Sequence, residues 1–174
     1  MKKIVLITLL GLCSLVFASN DMVDGNIPFE PEVISKVPEK QVECLAKNMY
    51  FEARSEPEAG IKAVGFVTMN RVQDSYFPKS ICDVVYQRTQ KVCQFSWVCI
   101  YGKNPLIRNQ ELFARIKEMA REIATHHPNN THVDPSQGSL FFHAAYLKPG
   151  WKLNKKVRIG QHIFYSRKKN DPRS

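Results

Sequence analysis

The sequence contains no run of the roughly 20 consecutive apolar residues that a membrane-spanning helix needs, and its one long apolar stretch, Ile4 to Phe17, is shorter. There is no Cys-x-x-Cys pair and no His-Glu-x-x-His, and the histidines lie well downstream of the cysteines. A zinc peptidase or amidase is therefore not expected, and no metal or other cofactor is assigned. Internal repeats and low-complexity tracts are absent beyond residue 40, and a composition of 44% hydrophobic and 24% charged residues excludes a disordered chain. Acidic residues are scarce: 16 Asp and Glu face 25 Lys and Arg, a formal charge of +9 that suits polyanionic partners.

What is present begins with an export signal. Lys2 and Lys3 precede the apolar stretch, and Val16-Phe17-Ala18 forms a small-residue cleavage site, so residues 1–18 read as a removable signal peptide. Cys13 is a poor lipidation site, because bulky Leu12 precedes it. Without those 18 of 174 residues, 156 remain, enough for one compact domain and too few for two. Loss of two lysines lowers the charge from +9 to +7. Export to a periplasmic or extracellular location argues against nucleic acid and stable membrane insertion, and leaves anionic wall polymers as partners; a monomer is assumed. The four remaining cysteines, Cys44, Cys82, Cys93 and Cys99, form an even set in an exported chain and read as two disulfides, with three pairings open.

Residues 19–40 carry Pro28, Pro31 and Pro38 without sustained periodicity and read as an extended leader. The folded domain is expected over 41–167, with a basic tail over 168–174. From Gln41 to Arg54, Val42, Leu45, Ala46, Met49 and Ala53 fall on one helical stripe. Ser55 and Glu58 have capping-box spacing, which predicts a second helix from about Glu56 to Val72, apolar on most sides. A short helix is expected over Ile81 to Tyr86, and Lys91 to Tyr101 reads as a loop or short strand. Asn109 to Thr125 is an amphipathic surface helix, after which His126 and His127 supply helix-end charge. Ser139 to His143 and Gln161 to Tyr165 read as an antiparallel strand pair around a loop containing Pro149-Gly150-Trp151. The fold class is α+β and mainly helical, with a small antiparallel β element near the C-terminus.

Glu52 is the candidate catalytic residue. It falls about 20° outside Leu45 on the helical wheel, at the rim of the buried stripe, beside Tyr50 and Phe51 and near a helix C-terminus. Desolvation and the negative helix end both favour its protonated form, as a general acid for glycosidic cleavage requires. The competing reading is a solvated ion pair with Arg54 or Lys47. Candidates for a second carboxylate are Glu56, Asp83, Glu58 and Asp134, none compelling, since Glu56 could belong to the next helix cap and Asp83 to a helix start. Sugar binding needs aromatic faces and polar donors. Tyr50, Gln94, Ser96, Trp97, His143 and Tyr146 supply that chemistry, while Phe95 and one tryptophan suit core or cleft equally. His143 and His162, on different strands, could face each other, but no carboxylate nearby completes a metal set.

The ordered run Cys44-Leu45-Ala46, Tyr50-Phe51-Glu52-Ala53-Arg54, Asn70-Arg71-Val72, Phe77-Pro78, Ile81-Cys82, Cys93-Gln94-Phe95-Ser96-Trp97, Leu140 to Tyr146 and Ile159 to Tyr165 resembles the SleB/CwlJ cell wall hydrolase family across roughly residues 42 to 165. The resemblance implies a lysozyme-like single domain that cuts the bond between N-acetylmuramic acid and N-acetylglucosamine in peptidoglycan. It places the family's catalytic glutamate on Glu52, and makes Gln94 similar to the glutamine after the glycine-rich loop of lytic transglycosylases. A lytic transglycosylase needs one essential acid, whereas a hydrolysing muramidase wants a second carboxylate. The alternative function is a non-catalytic module of the same fold that binds glycan strands or a wall enzyme.

Overall fold

The computed structural model describes residues 37–129 and 131–168. The expected signal peptide, most of the leader and all but one residue of the basic tail lie outside them. The first helix, α1 (Glu39–Ala53), follows the expected stripe: Val42, Leu45, Ala46, Met49 and Ala53 are buried. The second, α2 (Glu58–Gln73), starts later than its capping box implied, because Pro57 and not Ser55 occupies the N-cap position, with no side-chain cap. A helix starting at Glu56 would force the residue before a proline into helical geometry, which the proline ring disfavours. Ser55 is left in the turn, and Glu56 is released to reach elsewhere.

A short helix, α3 (Ile81–Val85), is capped by Ser80, whose hydroxyl accepts the Asp83 N–H at 3.2 Å. Lys91 to Tyr101, expected as a loop or short strand, does contain a short strand, β2 (Val92–Cys93), paired with β1 (Arg88–Thr89), but its second half is a helix, α4 (Ser96–Tyr101). Six residues are too few to display a helical period, so the sequence pattern concealed this element. The last helix, α5 (Gln110–His126), opens on Asn109, whose side chain accepts the Leu112 N–H at 2.9 Å.

Residues Val42, Leu45, Met49, Val64, Ile116, Ala120 and Ile123 from α1, α2 and α5 form the main core. Two disulfides close this region, Cys44–Cys82 between α1 and α3 and Cys93–Cys99 between β2 and α4. His127 does not act as helix-end charge. It is buried, its Nε2 lies 2.8 Å from Asn70 Oδ1, and burial lowers its pKa against the opposing field of Asp134. Asn70 also donates to Asp134 Oδ2 and to the Ser139 carbonyl, so this network fixes the turn that feeds the sheet onto α2.

Three antiparallel strands form that sheet, in the order β3 (Phe141–Ala144), β5 (His162–Ser166), β4 (Asn154–Ile159). The expected pair is β3 and β5. The edge strand β4 escaped detection because Asn154-Lys155-Lys156-Val157-Arg158-Ile159 is polar, and a bulge between Lys155 and Val157 breaks its alternation. Phe164 and Phe142 pack with Ala63 and Val67 of α2. The β4–β5 turn contains Gly160 at φ +54°, where an added Cβ would stand 1.9 Å from Glu56 Oε2. The Glu56 carboxylate accepts the Gln161 N–H at 2.8 Å across that gap, tying the α1–α2 turn to the sheet.

Candidate active site

Glu52 occupies the last turn of α1, half-buried by surface exposure. Neither proposed ion-pair partner reaches it: Lys47 pairs with Glu43 at 3.5 Å, and Arg54 lies over the Tyr50 ring at 5.2 Å. Burial pushes its carboxyl up to about 7, and the field of Arg71 opposes that rise. Among the described residues no donor lies within hydrogen-bond reach of its carboxyl.

Arg71 is the counterpart of this acid. It lies on α2, is only 3% exposed, and donates through Nε to the Leu140 carbonyl at 2.7 Å. Its guanidinium sits 5.2 Å from the Phe77 and Phe95 ring centres and 5.9 Å from that of Phe141. Burial lowers its pKa to about 10, so it remains a cation at neutral pH. Its Nη1 has no hydrogen-bond partner among the described residues. A charged residue on a helix apolar on most sides is the only signal of Arg71 in the sequence, and it does not reveal which acid the cation faces.

One turn earlier on α1, Asn48 is fully buried. It donates to Thr68 Oγ1 at 3.1 Å and accepts the Trp97 indole N–H at 3.0 Å. Trp97 is thereby held in the core, 3% exposed and stacked on Phe51 at 5.0 Å, away from solvent. Tyr50 is 2% exposed, and its hydroxyl accepts the Asn109 N–H at 3.1 Å. Gln94 and Ser96 are exposed on either side of buried Phe95. Tyr146 projects from the turn after β3 and is 82% exposed.

His143 and His162 do not face each other. His143 pairs with Ile163, and His162 with Ala144, which puts the two rings on opposite faces of the sheet. His143 lies 3.0 Å from the Tyr165 hydroxyl and borders a groove of about 340 Å³ with Trp151. His162 is buried against Phe142, and burial lowers its pKa against the field of Glu56. No group of three or more metal-ligating side chains occurs among the described residues. The four candidate second carboxylates all have partners. Glu56 holds Gln161, Asp83 accepts from Ser80 at 2.6 Å, Glu58 pairs with Lys62 at 2.7 Å, and Asp134 binds Asn70 and the N–H groups of Ser136 and Gly138.

Comparison with known proteins places this geometry in context. The family model described as Cell Wall Hydrolase matches residues 55–165, beginning three residues after Glu52. The spore cortex-lytic enzyme of Bacillus subtilis strain 168 is 27% identical over 130 residues, 71% of this chain and 36% of that protein. A spore cortex-lytic enzyme of Halalkalibacterium halodurans is 25% identical over 144 residues, 81% of this chain and 39% of that protein. The chain thus spans about two fifths of the length of these curated relatives. In fold it is similar to the catalytic domain of the germination-specific lytic transglycosylase SleB from Bacillus anthracis, with a TM-score of 0.57 at 24% identity over 76% of this chain and 98% of that one. The SleB catalytic domain from Bacillus cereus gives 0.55 at 24% identity, over 76% of this chain and 97% of that one.

Proposed function

The chain belongs to the cell wall hydrolase family, and from that premise we propose that it is an exported enzyme that cleaves the bond between N-acetylmuramic acid and N-acetylglucosamine in peptidoglycan as a lytic transglycosylase, with Glu52 as its acid and base. The observation that carries this reading is the desolvated Glu52 carboxyl, without a hydrogen-bond partner among the described residues, its pKa raised by burial to about 7 in the field of a buried arginine. A group in that state gives its proton to the glycosidic oxygen as the bond from C1 breaks. The carboxylate left behind, stabilised by Arg71, then takes the proton from the muramyl 6-hydroxyl as that oxygen closes on C1. Glu52 is returned protonated, and the product is a 1,6-anhydromuramyl end.

Two further observations support this route over hydrolysis. All four alternative carboxylates are engaged elsewhere, whereas hydrolysis ordinarily uses a second one to activate water or trap the sugar cation. The Bacillus anthracis protein whose catalytic domain shares this fold is itself a lytic transglycosylase. In this reading Gln94, Ser96, His143 and Tyr146 contact sugar, Tyr50 forms a wall, and Trp97 acts through Asn48 by holding the end of α1.

Mass spectrometry of muropeptides released from purified peptidoglycan tests the proposal, with Glu52→Gln alongside. Anhydromuramyl ends from the wild type and none from the variant are expected. Reducing muramic acid ends would replace the transglycosylase with a hydrolysing muramidase. No release by the oxidised wild-type protein would leave a glycan-binding module in its place.

A further inference from the structure

The last turn of α1 carries a second feature, on the flank formed by Tyr50, Phe51 and Arg54. There a cavity of about 320 Å³ is closed by Tyr101, Leu106 and Arg108. Tyr50 and Phe51 on α1 and Arg54 at its C-cap lie within one helical turn of Glu52, a rise of about 5.4 Å. The cavity holds two guanidinium groups and no carboxylate, and none of the ion pairs among the described residues uses Arg54 or Arg108. What sets these two apart from the other basic residues is that both line one cavity that also has aromatic walls. Arg54 is held in place over the Tyr50 ring at 5.2 Å and the Phe51 ring at 5.9 Å, so its fork is oriented before any ligand arrives.

Two arginines without an acidic partner among the described residues, above aromatic and aliphatic walls, make a receptor for a carboxylate carried on a short, partly apolar chain. We propose that this cavity binds the peptide stem of peptidoglycan through its free carboxylates, and so directs the enzyme to stem-bearing muramic acid. The inference rests on the proposed function. The glycan has a carboxylate of its own, on the lactyl group of muramic acid. In stem-bearing strands, however, that group is an amide with the first stem residue and carries no charge. The volume also exceeds what a lone carboxylate fills, while Tyr50, Phe51 and Leu106 suit a peptide side chain.

The test titrates the full oxidised chain, made as the Glu52→Gln protein so that glycan is not consumed, with three probes: a free stem tetrapeptide, amidase-stripped glycan bearing free lactyl carboxylates, and a neutral chito-oligosaccharide. Calorimetry or NMR reads binding without turnover, so the result stands or falls separately from the enzyme reading. Saturable tetrapeptide binding is expected, weakened at least about tenfold by Arg108→Gln and further by Arg54→Gln/Arg108→Gln, while Arg108→Lys, which keeps the charge, restores part of the loss. Affinity for the chito-oligosaccharide should not change. Arg108 lies in an exposed loop, so its single variant keeps the test valid should the double variant unfold. Tetrapeptide that does not bind, or that binds wild-type and Arg108→Gln side chains equally, overturns the proposal. So does a loss confined to the stripped glycan, which would assign the arginines to the lactyl group.

Discussion

Asn48 and Glu52 stand one turn apart on α1, both polar and both turned towards the interior, yet their surroundings differ in kind. Both amide atoms of Asn48 are bonded, the nitrogen donating to Thr68 and the oxygen accepting from Trp97, and the Thr68 hydroxyl donates to the Val64 carbonyl at 3.1 Å. Glu52 and Arg71 are left with an unbonded carboxyl and an unpartnered guanidinium nitrogen among the described residues. Buried polar groups in folded proteins are almost always paired, so exceptions call for an explanation. The first site joins three elements and contributes to stability. The second keeps unspent hydrogen-bonding capacity, which under the proposed function a substrate would use.

The largest expected effect would sharpen that contrast. Glu52→Gln should lower kcat by about 10²–10⁴-fold, the contribution of general acid–base catalysis, as read by release of anhydromuropeptides. Asn48→Ala should do the reverse, costing about 3 kcal/mol by leaving the Trp97 N–H unpaired in the core and opening a small cavity, while kcat per folded molecule holds. Urea denaturation and an activity assay on the same samples check both halves. A catalytic loss in Asn48→Ala that exceeds its unfolded fraction would break the comparison.

The linked effect of pH is nearly as large. The Glu52 carboxyl titrates near 7 when folded and near 4.5 unfolded, so the folded state holds the proton more tightly. Below about pH 4.5 the group is neutral in both states and costs nothing. As pH rises from 4.5 to 7 stability falls, and above 7 the full penalty of about 3 kcal/mol applies. Glu52→Gln should therefore be the more stable protein at pH 8, by up to about that amount, with the advantage gone at pH 4. The smallest effect concerns Arg71→Met. Removing the cation lifts the field that opposes the rise, so if Glu52 sets the basic limb of the kcat/KM profile, that limb should move to higher pH. An unmoved limb would show that the two groups are not coupled.

The disulfides divide along similar lines. In the chain-entropy view, closing the 38-residue separation between Cys44 and Cys82 contributes about 4 kcal/mol, and the 6-residue separation between Cys93 and Cys99 about 2 kcal/mol. The shorter link acts on the hairpin and α4, short elements that would be marginal alone.

Residues that repeat at a fixed interval were legible without the fold. The stripes on α1 and α5 and the alternation in β3 and β5 place one face of each element in the core, because burial is periodic wherever an element is long enough to show it. The rim position of Glu52 followed from the same periodicity. Short or polar elements were not legible: α4 lacks two full turns, β4 is an edge strand interrupted by a bulge, and the start of α2 depends on how Pro57 restricts Glu56. His127 read as a terminal charge because nothing local to it reveals Asn70, 57 residues away, as its partner.

The sequence by itself determined the long helices, the even set of cysteines, the basic charge and the rim position of Glu52 on α1, all properties set by composition and local spacing. Tertiary structure alone decided the disulfide pairing, the withdrawal of Trp97 into the core, the engagement of Glu56 by the β4–β5 turn, and the meeting of Glu52 with Arg71. Each of these depends on which distant segments displace water from one another. Desolvation, which turns an ordinary glutamate into an acid at neutral pH, is a property of the assembled surroundings and not of any stretch of chain.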